Sequence, residues 1–161
     1  MTIAMQLKKL AGGVLGLGIV LLSVHAQANV IETSDSTGSD EHTVPQLFVT
    51  VTGANPQQRA MPLVLSNQAL QQGATVRVLL CDAGGELALA EYEASPLAPR
   101  GMTPQDLLKS LIQQGARVEV CAIFLPNTGH TQADLMPGIG VAKPQDVAAF
   151  MLEPNTRLFA H

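Results

Sequence analysis

The chain contains no Trp, one Tyr and four Phe in 161 residues. Successive bases of a single strand stack on aromatic side chains, so that mode of nucleic-acid binding lacks its platform. Basic residues are also few: nine Lys and Arg face thirteen Asp and Glu, for a formal charge of −4. No basic patch for phosphates or anionic lipid follows from such a balance. With only two cysteines, Cys81 and Cys121, a disulfide scaffold is excluded, and their separation excludes both C-x-x-C redox chemistry and a zinc knuckle. There is no Ser/His/Asp arrangement, no pair of carboxylates at helical spacing and no internal repeat.

What is present begins at the N-terminus. Lys8 and Lys9 precede an uncharged run, Leu10 to Val24, and then Ala26-Gln27-Ala28, the order of a secretory signal peptide with cleavage after Ala28. At about 15 residues the run is short of the roughly 20 that span a bilayer, and no cysteine follows it to carry a lipid. The expectation is an exported, periplasmic protein with no membrane attachment after cleavage. Residues 29–45 open with NVIETSDSTGSDEH, acidic and without apolar period, and read as a disordered leader. The mature part carries seven basic against thirteen acidic residues, a formal charge of −6.

Residues 46–161 read as one α/β domain. LFVTVTG (Leu47 to Gly53) reads as a buried strand, followed by a helix from about Gln57 to Gln72 with Met61, Leu63, Val64, Leu65, Ala69 and Leu70 on its apolar face. Pro62 fits that helix best if Arg59 to Pro62 form its first turn. Thr75 to Cys81 is the second strand. Asp82-Ala83-Gly84-Gly85 reads as a tight turn rather than an anion cradle, since it matches neither GxGxxG nor a Walker loop. Glu86 to Tyr92 predicts a short helix, Ser95 to Met102 a loop, and Thr103-Pro104 the start of a helix through Gln114, buried through Leu107, Leu108, Leu111 and Ile112.

Gly115 to His130, GARVEVCAIFLPNTGH, is the central stretch. Apolar character is continuous from Val120 to Leu125, as in a strand covered on both faces of a parallel sheet, and Pro126 to Gly129 predict a loop. Beyond it come a helical turn at Ala133 to Met136, a strand at Ile139 to Ala142, a helix from Pro144 to Leu152 with Val147, Ala148, Phe150 and Met151 inward, and a last strand, Thr156 to Ala160. The alternation predicts a three-layer α/β/α domain on a mostly parallel sheet of about five strands.

Ligands collect outside the carboxyl ends of such strands, which singles out Cys121. A thiolate there needs a positive or hydrogen-bonding neighbour, and Asn127, the Gly129 loop N–H groups and His130 are the nearest in sequence. A buried hydrophobic thiol and a solvent-facing loop histidine are the structural alternatives. At Cys81 the adjacent Asp82 opposes a thiolate, favouring a packing role. A Cys81–Cys121 bridge is open to an exported protein but ill suited to neighbouring parallel strands. A metal site would have to be assembled from Met136, His130 and Cys121, a poor donor set, so no metal and no cofactor are expected.

LFVTVTG, NQALQQG, VRVLLCDAGG, LLKSLIQQGARVEVCAIFLPNTG and GVAKPQDVAAFMLEPNTRLFAH together resemble the DsrE/DsrF-like family over about residues 46–160. That resemblance implies a parallel α/β/α sheet, assembly into trimers or hexamers, and, in the sulfur-relay branch, a cysteine that carries sulfur as a persulfide. The persulfide position falls on Cys121. Cys81 stands where relay members need not have cysteine. Relay proteins are cytoplasmic and work through partner subunits, whereas this chain has an export signal. The expected function is a periplasmic sulfur carrier or sulfurtransferase-like protein exchanging with a thiol- or persulfide-bearing protein. The alternative is a noncatalytic oligomeric module that holds a small ligand or partner.

Overall fold

The computed structural model describes residues 43–160. The expected signal peptide, the leader through His42, and His161 lie outside the described residues. Five strands, β1 (Gln46–Val51), β2 (Thr75–Leu80), β3 (Arg117–Val120), β4 (Ile139–Val141) and β5 (Thr156–Ala160), form one sheet in the order β4-β3-β2-β1-β5. All four pairings are parallel. Helices α1 (Pro56–Gln71), α2 (Pro104–Gln113), α3 (Phe124–Thr128) and α4 (Pro144–Met151) connect them, with 3₁₀ turns at Asp82–Ala88 and Gln132–Asp134.

Strand parity divides the sheet into two unlike faces. On one, Val49, Val51, Val76, Val78, Leu80, Val118 and Val120 meet Ala60 and Leu63 of α1 and Leu107, Leu108 and Leu111 of α2, making the main core. On the other, Phe48 packs with Ala142, Val147 and Phe150 beneath α4. That second face also buries charge. Arg77 Nε and Nη2 lie 2.8 and 2.7 Å from Glu119 Oε2, Arg117 reaches Glu119 Oε1 at 2.8 Å, and Arg77 Nη1 donates to the Asp146 carbonyl at 2.7 Å, tying the sheet to α4. Helices on both sides of a parallel sheet give the expected three layers.

Local expectations in four segments are corrected. Helix α1 starts earlier than Arg59: Asn55 caps it by accepting from the Gln57 and Gln58 N–H groups, and Pro56 takes the first turn. Pro62 therefore lies inside the helix. The expected apolar face of α1 is divided: Leu63 is buried and Ala69 and Leu70 pack partly against the core, whereas Met61, Val64 and Leu65 are exposed. Arg59, Ser66 and Asn67 are buried as well, Asn67 bridging to α2 by donating to Leu107 O and accepting from Ser110 and Gln114.

Strand β3 ends at Val120, and Cys121 to Leu125 do not continue it. The Phe124 N–H donates to Cys121 O, turning the chain into α3, which occupies the expected Pro126–Gly129 loop and ends at Gly129 with φ 75°. The helix expected over Glu86–Tyr92 is replaced by the earlier 3₁₀ turn, after which Leu89 forms a bridge with Leu135. On α4, Val147 alone is buried and Phe150 is partly covered, while Ala148 and Met151 face outward.

Candidate functional site

Cys81 and Cys121 occupy equivalent places on neighbouring strands. Leu80 and Val120 are register partners, and each cysteine is the next residue. The Cys121 N–H still donates to Leu80 O at 2.8 Å, and the Cys81 N–H to Val51 O at 3.0 Å, so the backbone at both is held by the ladder while the chains diverge beyond. Both cysteines are unbridged and partly exposed. Together with Asp82, Ala83, Glu86, Ile123, Phe124, Asn127 and Thr128 they line one open cavity of about 580 Å³ at the carboxyl ends of the strands.

The Cys81 pKa is pushed up to about 12, first by burial, then by the neighbouring Cys121 thiol and last by the charge of Asp82. The expected opposition from Asp82 is present, as the smallest of these causes.

The walls are set by two contacts that sequence reasoning missed. Arg59, 2% exposed, donates to Gly53 O at 2.7 Å, Tyr92 Oη at 2.5 Å, Ala83 O at 2.6 Å and Glu86 Oε2 at 2.8 Å. One guanidinium thus binds the loops after β1 and β2 and neutralises an acid of the cavity. Its signal was available, since Arg59, Leu63 and Ser66 recur at helical spacing on one side of α1. The second contact is the glycine pair. The Gly84 N–H donates to Thr52 O and that of Gly85 to Cys81 O, so neither is offered to an anion. A Cβ at Gly85 would stand 2.5 Å from the Phe124 ring, and one at Gly84 2.2 Å from Val51 O. Only glycine permits the 3₁₀ turn to lie so close to β1 and α3.

The expected binding residues separate. Asn127 lines the cavity, its side-chain amide donating to Ile123 O at 2.6 Å. Gly129 is the αL cap of α3, and the N–H groups of Gly129 and His130 both donate to Leu125 O, so they are committed to the helix end. The His130 ring stacks on Phe124 with centroids 6.4 Å apart. It lines a second cavity, about 340 Å³, with Tyr92 and Asp134, and its Nδ1 is 3.9 Å from Asp134 Oδ2. Phe124 thus stands between His130 and the cysteines. Met136 is buried in the main core, so Met136, His130 and Cys121 do not converge. Among the described residues no group of three or more His, Cys, Asp or Glu is placed to hold a metal ion.

The wholly parallel five-stranded sheet flanked by helices has the DsrE/YchN-like fold. Solved structures that share it include the YchN protein from E. coli, with a TM-score of 0.63 and 16% identity over 73% of this chain and 100% of that one. MTH1491 from Methanobacterium thermoautotrophicum, a protein of unknown function, matches with a TM-score of 0.56 and 14% identity over 73% and 99% of the two chains. BT1422 from Bacteroides thetaiotaomicron, likewise of unknown function, has a TM-score of 0.51 and 15% identity over 73% and 95%. No family profile and no curated protein matches this sequence. Identities this low establish the fold alone.

Proposed function

We propose that this protein is an exported sulfur carrier that holds a sulfane sulfur as a persulfide on Cys121. The supporting observation is the placement of that thiol: partly exposed just past the end of β3, facing a cavity wide enough for a small sulfur donor or an acceptor's cysteine. Loading is attack of the Cys121 thiolate on the sulfane sulfur of a polysulfide. A sulfur–sulfur bond forms at Cys121, and the remainder of the polysulfide leaves as its thiolate. An acceptor thiol, on a protein partner or a small molecule, then takes the outer sulfur.

The carrier acts as a homo-oligomer of the trimeric or hexameric kind. Supporting this are exposed large apolar side chains, Leu152 at the end of α4 (84%), Leu158 of β5 (56%) and Ile123 before α3 (69%), the last lining an apolar groove with Leu79, Ala142, Val147 and Met151. Intact-mass measurement after polysulfide treatment tests the carrier reading. Wild type gains about 32 Da on Cys121, the mass of one sulfur, and Cys121→Ser gains nothing there. A wild-type protein that stays unmodified removes the carrier role.

A further inference from the structure

The carrier reading uses one cysteine, yet the cavity holds two. We infer that Cys81 is the resolving thiol of this site, which discharges a Cys121 persulfide by forming the Cys81–Cys121 disulfide and expelling hydrosulfide. The inference rests on the persulfide reading above and deepens it.

Geometry carries it. Neighbouring strands run about 4.8 Å apart, within the roughly 4.4–6.8 Å between Cα atoms that a disulfide accepts. Cys81 and Cys121 follow register partners on such strands. Flat parallel strands aim paired side chains alongside one another rather than at each other, which is why a bridge is disfavoured within a ladder. Here both residues lie beyond their last paired positions, and Asp82 turns the chain sharply with φ 49°. Both thiols line the same cavity, near enough for Cys121 to raise the Cys81 pKa, and a released sulfide escapes into that cavity.

The step balances without a further reactant. Cys121 enters as the persulfide anion, bonded through its own sulfur to an outer sulfur. The Cys81 sulfur attacks the inner sulfur, the inner–outer bond breaks, and its electron pair leaves on the outer sulfur. The proton of Cys81 passes to that leaving sulfur, so the products are one disulfide and one hydrosulfide anion. The thiol held protonated by its surroundings therefore supplies the proton that the leaving group requires. An external dithiol reductant then returns both cysteines to thiols with two electrons.

The test compares polysulfide-loaded wild type with Cys81→Ser after removal of excess reagent, following intact mass and trapping released sulfide with a bimane reagent. Both proteins acquire the adduct of about 32 Da. Wild type then loses it, ends about 2 Da below its reduced mass and releases about one equivalent of sulfide. The persulfide on Cys81→Ser lives at least about tenfold longer. Cys81→Ala, which removes the hydroxyl as well, gives the same lifetime and guards against a packing effect of serine. Equal lifetimes in wild type and both variants, or a wild type that discharges without the loss of 2 Da, overturn the resolving role. Absence of the adduct from every protein instead overturns the carrier reading.

Discussion

Gly85 tests whether close approach of the 3₁₀ turn to α3 shapes the cysteine cavity. Its hypothetical Cβ lies 2.5, 2.6 and 2.8 Å from Cδ2, Cε2 and Cγ of Phe124, whereas carbon atoms rest at about 3.5–4.0 Å. A ring that is 5% exposed has to retreat by about 1 Å, and overpacking of this size costs about 1–3 kcal/mol. Gly85→Ala is therefore expected to lower the unfolding free energy by that amount, read as a lower urea midpoint with an unchanged m-value. Phe124→Leu alone costs about 1–2 kcal/mol through lost packing, but it removes Cε2 and replaces the rigid ring edge with methyl groups that can rotate away from the new Cβ. The double variant should recover about 1 kcal/mol relative to the sum of the single losses. Gly84→Ala behaves differently, because its Cβ meets the Val51 carbonyl at 2.2 Å. Backbone cannot rotate away, so its loss exceeds about 3 kcal/mol, and Phe124→Leu brings no relief. Strict additivity of Gly85→Ala and Phe124→Leu, or a Gly85→Ala loss below about 0.5 kcal/mol, would refute this account of the wall.

Two more outcomes follow from the same site. Arg59→Met keeps the aliphatic stem and should cost about 2–4 kcal/mol in thermal or urea unfolding, chiefly by stranding the Gly53 and Ala83 carbonyls; Glu86 is 46% exposed and regains water, so its ion pair adds less than about 1 kcal/mol. A total below that last figure would remove Arg59 as the tie between the loops. The Cys81 pKa, raised from 9.0 to about 12, makes its stabilising contribution complete below pH 9.0 and lost as pH climbs toward about 12, since the unfolded thiol ionises first. Iodoacetamide modification of Cys81, read by peptide mass, should be slow at neutral pH, and in Cys121→Ala its rise should shift to lower pH because the neighbouring thiol that helps raise the Cys81 pKa is gone. Neutral-pH alkylation at the rate of a small thiol would contradict the assignment.

Much of this architecture was legible in the chain. Leu47 to Val51 and Thr75 to Leu80 are β-rich runs bounded by Gly and Pro, and Thr103-Pro104 and Gly115 bracket α2 with cap chemistry that acts within a few residues. Local signals of this kind survive folding because their partners are close in sequence. Cys121 at the carboxyl rim was legible for the same reason: a strand signal followed by a break. The run Cys121 to Leu125 was misread because apolar continuity does not distinguish a strand from a short buried helix, and only the packing of Phe124 against Gly85 decides it.

The sequence by itself determined an α/β chain of five strands, the rim at which its cysteines lie and the acidity of its surface, all consequences of local periodicity and composition. Tertiary structure alone decided that β2 and β3 are neighbours, which brings Cys81 to Cys121 across 40 positions of chain. It also decided that Arg59 and Glu119 are buried, because a charge enters a core only where partners from distant segments meet it. Tertiary packing likewise put His130 in a different cavity from the thiols, stacked on the Phe124 ring that lines theirs.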